Sequence, residues 1–115
     1  THEQYRPFVL FHYTQAGALA ALDDDGEGAE VAIQAINDGL DKLRDFFDEY
    51  ELDEQFEDDE LVNRLMELRE SVRERFEIGR TLHEQLDDAV ASEQYELAAK
   101  LRDELRQRQR QGPGH

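Results

Sequence analysis

Cysteine is missing from this 115-residue chain, which excludes a disulfide framework and any thiolate metal site. Proline is nearly missing too, present only at Pro7 and Pro113, so little interrupts a helix. There is no long β-branched run, and no apolar stretch reaches the roughly 18 residues that would span a membrane. The N-terminus shows no signal-peptide pattern. It opens on Thr1 without a methionine, and the expectation is a trimmed start with further chain upstream. Positive charge is scarce. Lys and Arg number 13 against 29 Asp and Glu, a net charge of −16. The imbalance is local: Asp23 to Glu60 holds 17 acidic and 2 basic residues, whereas Leu61 to His115 holds 11 and 10. Nucleic acid bound through the acidic middle would set carboxylates against phosphates, the reverse of counterion release. That segment reads first as a solvated face and second as a steering surface for a basic partner.

What is present favours helix. Glu, Asp, Leu, Ala, Arg and Gln dominate, and the apolar positions recur at steps of three and four. The expected fold is all-α, about five helices arranged as antiparallel hairpins. Residues 1–50 form a helical hairpin, read as the possible end of a larger domain. A first helix over Pro7–Leu22 is apolar nearly all round and wants cover on more than one side. Pro7 suits its first turn. The Asp23–Gly28 turn follows. A second helix over Ala29–Tyr50 carries the stripe Ala32, Ile33, Ile36, Leu40, Leu43, Phe46 and Phe47. The small residues Gly17, Ala20, Ala32 and Gly39, with Ile36 and Leu40, loosely resemble a tetratricopeptide (TPR-like) helix pair. Residues 51–60 are an acidic linker. Residues 61–79 are a connecting helix, capped by Asp58 or Asp59 and stopped by Gly79. Residues 111–115 are a disordered tail.

The informative stretch is residues 80–110. Thr81-Leu82-His83-Glu84 is a capping box. Leu82, Leu86, Ala89 and Val90 form the apolar face of one helix. Leu97, Ala98, Leu101 and Leu105 form that of the next, which starts near Tyr95 and ends in Arg106, Arg108 and Arg110. Ala98-Ala99 permits close approach, and Tyr95 sits at the Ala91–Gln94 turn. Leu82, Leu86, Ala89-Val90, Glu93, Tyr95-Glu96, Ala98-Ala99 and Leu101-Arg102-Asp103, followed by Leu105, together resemble the UVR (UvrB/UvrC) motif of excision-nuclease subunits and Clp-associated adaptors. Gln94 departs mildly, because an acidic residue is common there. The resemblance implies a helical hairpin that docks on a second UVR hairpin or on a partner's helices. The docking residues it implies are Leu82, Leu86, Val90, Tyr95, Leu97, Ala98, Leu101, Arg102 and Leu105, lining one side of the hairpin.

Other patterns carry less. Asp23-Asp24-Asp25-Gly26 lacks the ligand alternation of a calcium loop. His83 and Asp87 share a helical face, yet two ligands do not make a metal site. Neither a nucleophile–base pair nor a Gly-rich phosphate loop is visible, so no enzyme and no cofactor are expected. The expected function is a cytoplasmic protein–protein docking or adaptor module, self-associating as a homodimer through the first helix, the hairpin or both. The alternatives are an accessory nucleic-acid-binding component of excision repair and a self-associating helical scaffold.

Overall fold

The computed structural model describes residues 2–22 and 28–111. Among them it holds five α-helices, one 3-10 helix and no strand: α1 His2–Ala21, α2 Gly28–Glu49, the 3-10 helix Asp53–Asp58, α3 Glu60–Arg75, α4 Leu82–Ala91 and α5 Tyr95–Gln111. They fall into two compact units, Thr1–Glu77 and Ile78–His115. The Asp23–Glu27 turn, with the calcium loop weighed there, lies outside the described residues, as does the tail from Gly112.

In the first unit, α2 is the central element. Its apolar residues return every three or four positions, and all seven residues of the expected stripe are buried, with Ile33, Ile36 and Leu43 wholly enclosed. Asp41, Asp45, Asp48 and Glu49 stay in solvent. Helix α1 runs antiparallel to it. Arg6 reaches Glu49 at one end at 4.0 Å, Thr14 meets Gly39 midway, and Gly28 sits against the Ala21 backbone at the other end. The contact is made by Phe11, Thr14 and Ala18 of α1. Gly17 and Ala20, expected there, are exposed instead, because at 100° per residue Ala20 falls on the far side of the helix and Gly17 on its flank. Helix α3 returns along α2, tied to it by Arg69 Nη1 donating to Asn37 Oδ1 at 2.8 Å. Its Val62, Leu65 and Val72 are buried.

The structure corrects four expectations. Helix α1 starts at His2, so Pro7 lies inside it. The missing proline N–H costs only one bond near the helix start. Residues 51–60 are more than a linker. The 3-10 helix buries Phe56, whose ring stands edge-on to Phe47 at 5.7 Å and under the Arg44 guanidinium at 4.4 Å. Helix α3 packs on α1 and α2 as a bundle member, where a connecting helix was expected. Of the two candidate caps, Asp59 is the one used, accepting from the Val62 amide at 3.0 Å. Finally, Gly79 does not stop α3. The helix ends at Arg75, and the left-handed residue is Glu77, at φ 52°. The Glu77 amide donates to the Glu74 carbonyl at 3.3 Å.

The exit from α2 is built the same way. Glu51 takes φ 57°, its amide donates to the Asp48 carbonyl at 3.2 Å, and the Leu52 amide donates to the Phe47 carbonyl at 2.7 Å. These two bonds are a Schellman closure.

Two predictions follow from this packing. A Cβ at position 39 would stand 2.5 Å from Thr14 Cγ2 and 2.8 Å from Thr14 Cβ. Gly39→Ala should therefore destabilise the first unit by about 1–3 kcal/mol, and Thr14→Ala in the same chain should recover only part of that loss in a denaturant titration. The second concerns Glu70, which accepts from Arg73 at 3.1 Å and from Arg69 at 2.8 Å. The hydrogen bond to Arg73, more than the neighbouring Arg69, holds its carboxyl below the ordinary value of 4.5. A carboxyl lowered in the folded chain stabilises it above that ordinary value and loses the effect as pH falls through the folded one. Glu70 is over half exposed, so Glu70→Gln should cost at most about 1 kcal/mol at neutral pH. The gap to the parent chain should close in melts taken below pH 4.5.

Candidate docking surface on the C-terminal hairpin

The hairpin starts with a cap. Thr81 Oγ1 accepts from the Glu84 amide at 3.1 Å, and Glu84 Oε1 accepts from the Thr81 amide at 2.9 Å. Two otherwise unpaired donors are satisfied reciprocally, as the sequence leads one to expect. Around this box Arg80 forms a clamp that the sequence reading missed. Its Nη2 lies 2.8 Å from both carboxylate oxygens of Asp88, and its Nη1 is 3.6 Å from Glu84 Oε2. Gln85 Nε2 donates to the Arg80 carbonyl at 2.9 Å. The available signal was the spacing: Glu84 and Asp88 stand four apart on one side of α4, and Arg80 stands four residues before Glu84, just ahead of the Thr81 cap.

The turn between α4 and α5 is a second complete Schellman closure. Glu93 takes φ 59°. Its amide donates to the Val90 carbonyl at 3.0 Å, and the Gln94 amide to the Ala89 carbonyl at 2.8 Å. The chain is thereby reversed in three residues, and the Gln94 carbonyl already accepts from the Ala98 amide at 2.9 Å. A glutamate in this left-handed conformation carries a steric cost that glycine avoids.

The two helices meet through two alanines and a leucine. Ala89, Ala98 and Leu101 form the buried centre, and Leu82 and Leu86 pack against it half-covered. Leu105 is half-buried, and Arg102 is exposed. Val90, Tyr95 and Leu97 are in solvent, at 51%, 64% and 44% exposure. The nine residues expected on one face are therefore not on one face. Ala98 and Leu101 are internal to the hairpin. Tyr95 and Leu97 are two positions apart, about 200° around α5, and so lie on opposite flanks. The periodicity identified which side chains are apolar, but leucines at positions 97 and 101 look alike until the helix axis is fixed. His83 and Asp87 are both exposed, and among the described residues no group of three or more possible ligands gathers around them.

One comparison with known proteins finds a match, and it falls on this region. The family model described as the UvrB/uvrC motif matches residues 80–111. That span includes Arg80, the Thr81 cap and both helices of the hairpin. Residues 80–111 thus carry the UVR motif. No curated protein and no solved structure matches the chain. No helix among the described residues is long and apolar enough to cross a membrane.

The left-handed turn supplies a direct test. Glu93→Gly should stabilise the hairpin by about 1 kcal/mol, read as slower hydrogen exchange of the α4 and α5 amides. Glu93→Val should do the opposite, because a β-branched residue is excluded from that conformation more strongly.

Proposed function

We propose that this chain is a non-catalytic docking module whose UVR hairpin binds a helical protein partner, either a second such hairpin or the helices of another protein. The single observation that carries the reading is the group of uncovered apolar side chains at the turn end of the hairpin. Its inside is filled by Ala89, Ala98 and Leu101, while Val90, Tyr95 and Leu97 stand in water around the turn. Exposed apolar side chains are common one at a time. Three within eight residues, on both flanks of the turn end, supply anchors for a partner that wraps that end of the hairpin. Tyr95 is the best of them, offering a large apolar ring and a polar tip. Exposed Glu96, Lys100 and Arg102 on α5 supply a polar rim. Arg102 stands as a recognition residue only if a partner carboxylate meets it. The cytoplasm is the compartment this reading assumes.

A second reading, an accessory role on nucleic acid in excision repair, draws on Lys100, Arg102 and Arg106, which are exposed on α5. Five basic residues against three acidic ones on that helix give only a weak local positive field. A gel-shift assay with damaged duplex DNA at low salt separates the two: the docking reading expects no complex.

Docking is tested by comparing outside with inside. Tyr95→Asp and Leu97→Asp should leave hairpin helicity intact, because both side chains already lie in solvent. Photo-crosslinking from position 95 or 97 should give a protein adduct in cells that a probe at Lys100 gives more weakly. Leu101→Asp should unfold the hairpin itself, since a buried carboxylate without a partner costs several kcal/mol. Absence of any protein adduct from positions 90, 95 and 97 would remove the docking reading.

A further inference from the structure

Helix α1 has a second face that no described residue of the first unit covers. The side turned to α2 is buried through Phe11, Thr14 and Ala18. On the other side Phe8 is 54% exposed, Val9 59%, Tyr13 78% and Leu19 49%. His12, Ala16, Gly17 and Ala20 are exposed between them. No charged residue occurs from Pro7 to Leu22. The rest of the first unit is the opposite: residues 1–77 hold 22 acidic and 7 basic residues, a net charge of −15. An uncharged apolar strip thus runs along a strongly anionic body.

We infer that this face of α1 is the seat of a second copy of the chain, paired antiparallel across a two-fold axis. Area, shape and chemistry favour this occupant. Scaling the exposures by ordinary side-chain areas gives roughly 600–700 Å² of strip per chain. Two strips bring together roughly 1,200–1,400 Å², the lower end of the about 1,200–2,000 Å² of stable interfaces. The strip is also self-complementary in size. Its N-terminal half carries Phe8, Val9, His12 and Tyr13, and its C-terminal half carries mainly Ala16, Gly17 and Ala20. Antiparallel pairing about residue 14 sets Phe8 against the partner's Ala20 and His12 against the partner's Ala16, bulk against a gap, and sets Val9 against the partner's Leu19, apolar on apolar. A two-fold axis requires the same patch to serve both copies, and this patch does. A basic partner would be drawn to the acidic surfaces of the unit and not to this uncharged strip. The inference stands on α1 alone and is independent of what the hairpin binds.

The test is sedimentation of the full chain from ~10 to ~200 µM. A dimer is expected. Both copies are anionic, so raising salt from about 0.05 to about 0.5 M should tighten the dimer by screening. Tyr13→Glu and Ala16→Glu replace exposed residues, so helicity should persist while each weakens association at least about thirtyfold. Asp87→Asn, an exposed change on the hairpin away from its uncovered apolar side chains, should leave the dimer unchanged. The absence of cysteine allows a register test: His12→Cys chains mixed with Ala16→Cys chains should cross-link faster than either variant alone. Four results would each overturn the inference: a monomer at every concentration, a dimer indifferent to both glutamates, a dimer loosened by salt, or cross-linking without preference for the mixed pair.

Discussion

The first unit depends on how closely α1 can approach α2. At the midpoint of their antiparallel run the Thr14 side chain occupies the place where a residue-39 Cβ would be. Glycine here is used for space; a helix interior otherwise disfavours it by about 1 kcal/mol relative to alanine. That cost is offset because close approach brings Phe11 and Ala18 onto the α2 stripe and encloses Ile33 and Ile36 completely. Helix α3 packs against both α1 and α2, and the 3-10 helix against α2 and α3. Phe56, held between Phe47 and Arg44, closes the end of the bundle where the chain leaves α2. The acidic segment is thereby anchored by one aromatic ring while its carboxylates remain in water.

The helix ends show a recurring local choice. Glu51, Glu77 and Glu93 each take the left-handed conformation after a helix, where glycine is the usual occupant. The hydrogen bonds are made regardless: two closures are complete, and the third carries the Glu77 bond. A glutamate accepts the backbone strain and in return keeps a charged, soluble side chain at an exposed turn. The stability given up is of order 1 kcal/mol at each site. These turns are consequently places where the chain can be made more stable without touching its core.

How much of this could be read from the residues alone depended on the range of the interaction. The α2 stripe, the Thr81–Glu84 box and the two-helix form of residues 82–111 were legible because periodicity and neighbours within four positions decide them. The stop of α3 was misplaced because the sequence offers Gly79 two residues after Glu77, and side-chain identity only biases φ. Phe56 was overlooked as a core residue because one aromatic among carboxylates has no period; only the return of the chain to Phe47 reveals its role. Gly17 and Ala20 were placed at the wrong contact for a different reason. Small residues suit both a tight contact and a bare surface, and only the angle of α1 about its axis separates them. The same ambiguity divided the hairpin residues, sending Leu101 inside and Leu97 out.

The distribution of charge then decides what kind of contact each unit can make. Residues 1–77 carry −15 and residues 78–115 carry −1, with 7 acidic and 6 basic. A near-neutral hairpin can approach an acidic or a basic protein without a long-range penalty, so its choice of partner must come from the fit of Val90, Tyr95 and Leu97. The anionic unit cannot be so indifferent. Within about a Debye length, roughly 8 Å at physiological salt, its field repels other acidic surfaces. An apolar patch on such a body is shielded from casual association until its occupant is close. Selectivity of that sort comes from the repulsion as much as from the patch. The acidic middle segment, which looks at first like a solubilising decoration, therefore also sets the terms on which the exposed face of α1 can be used.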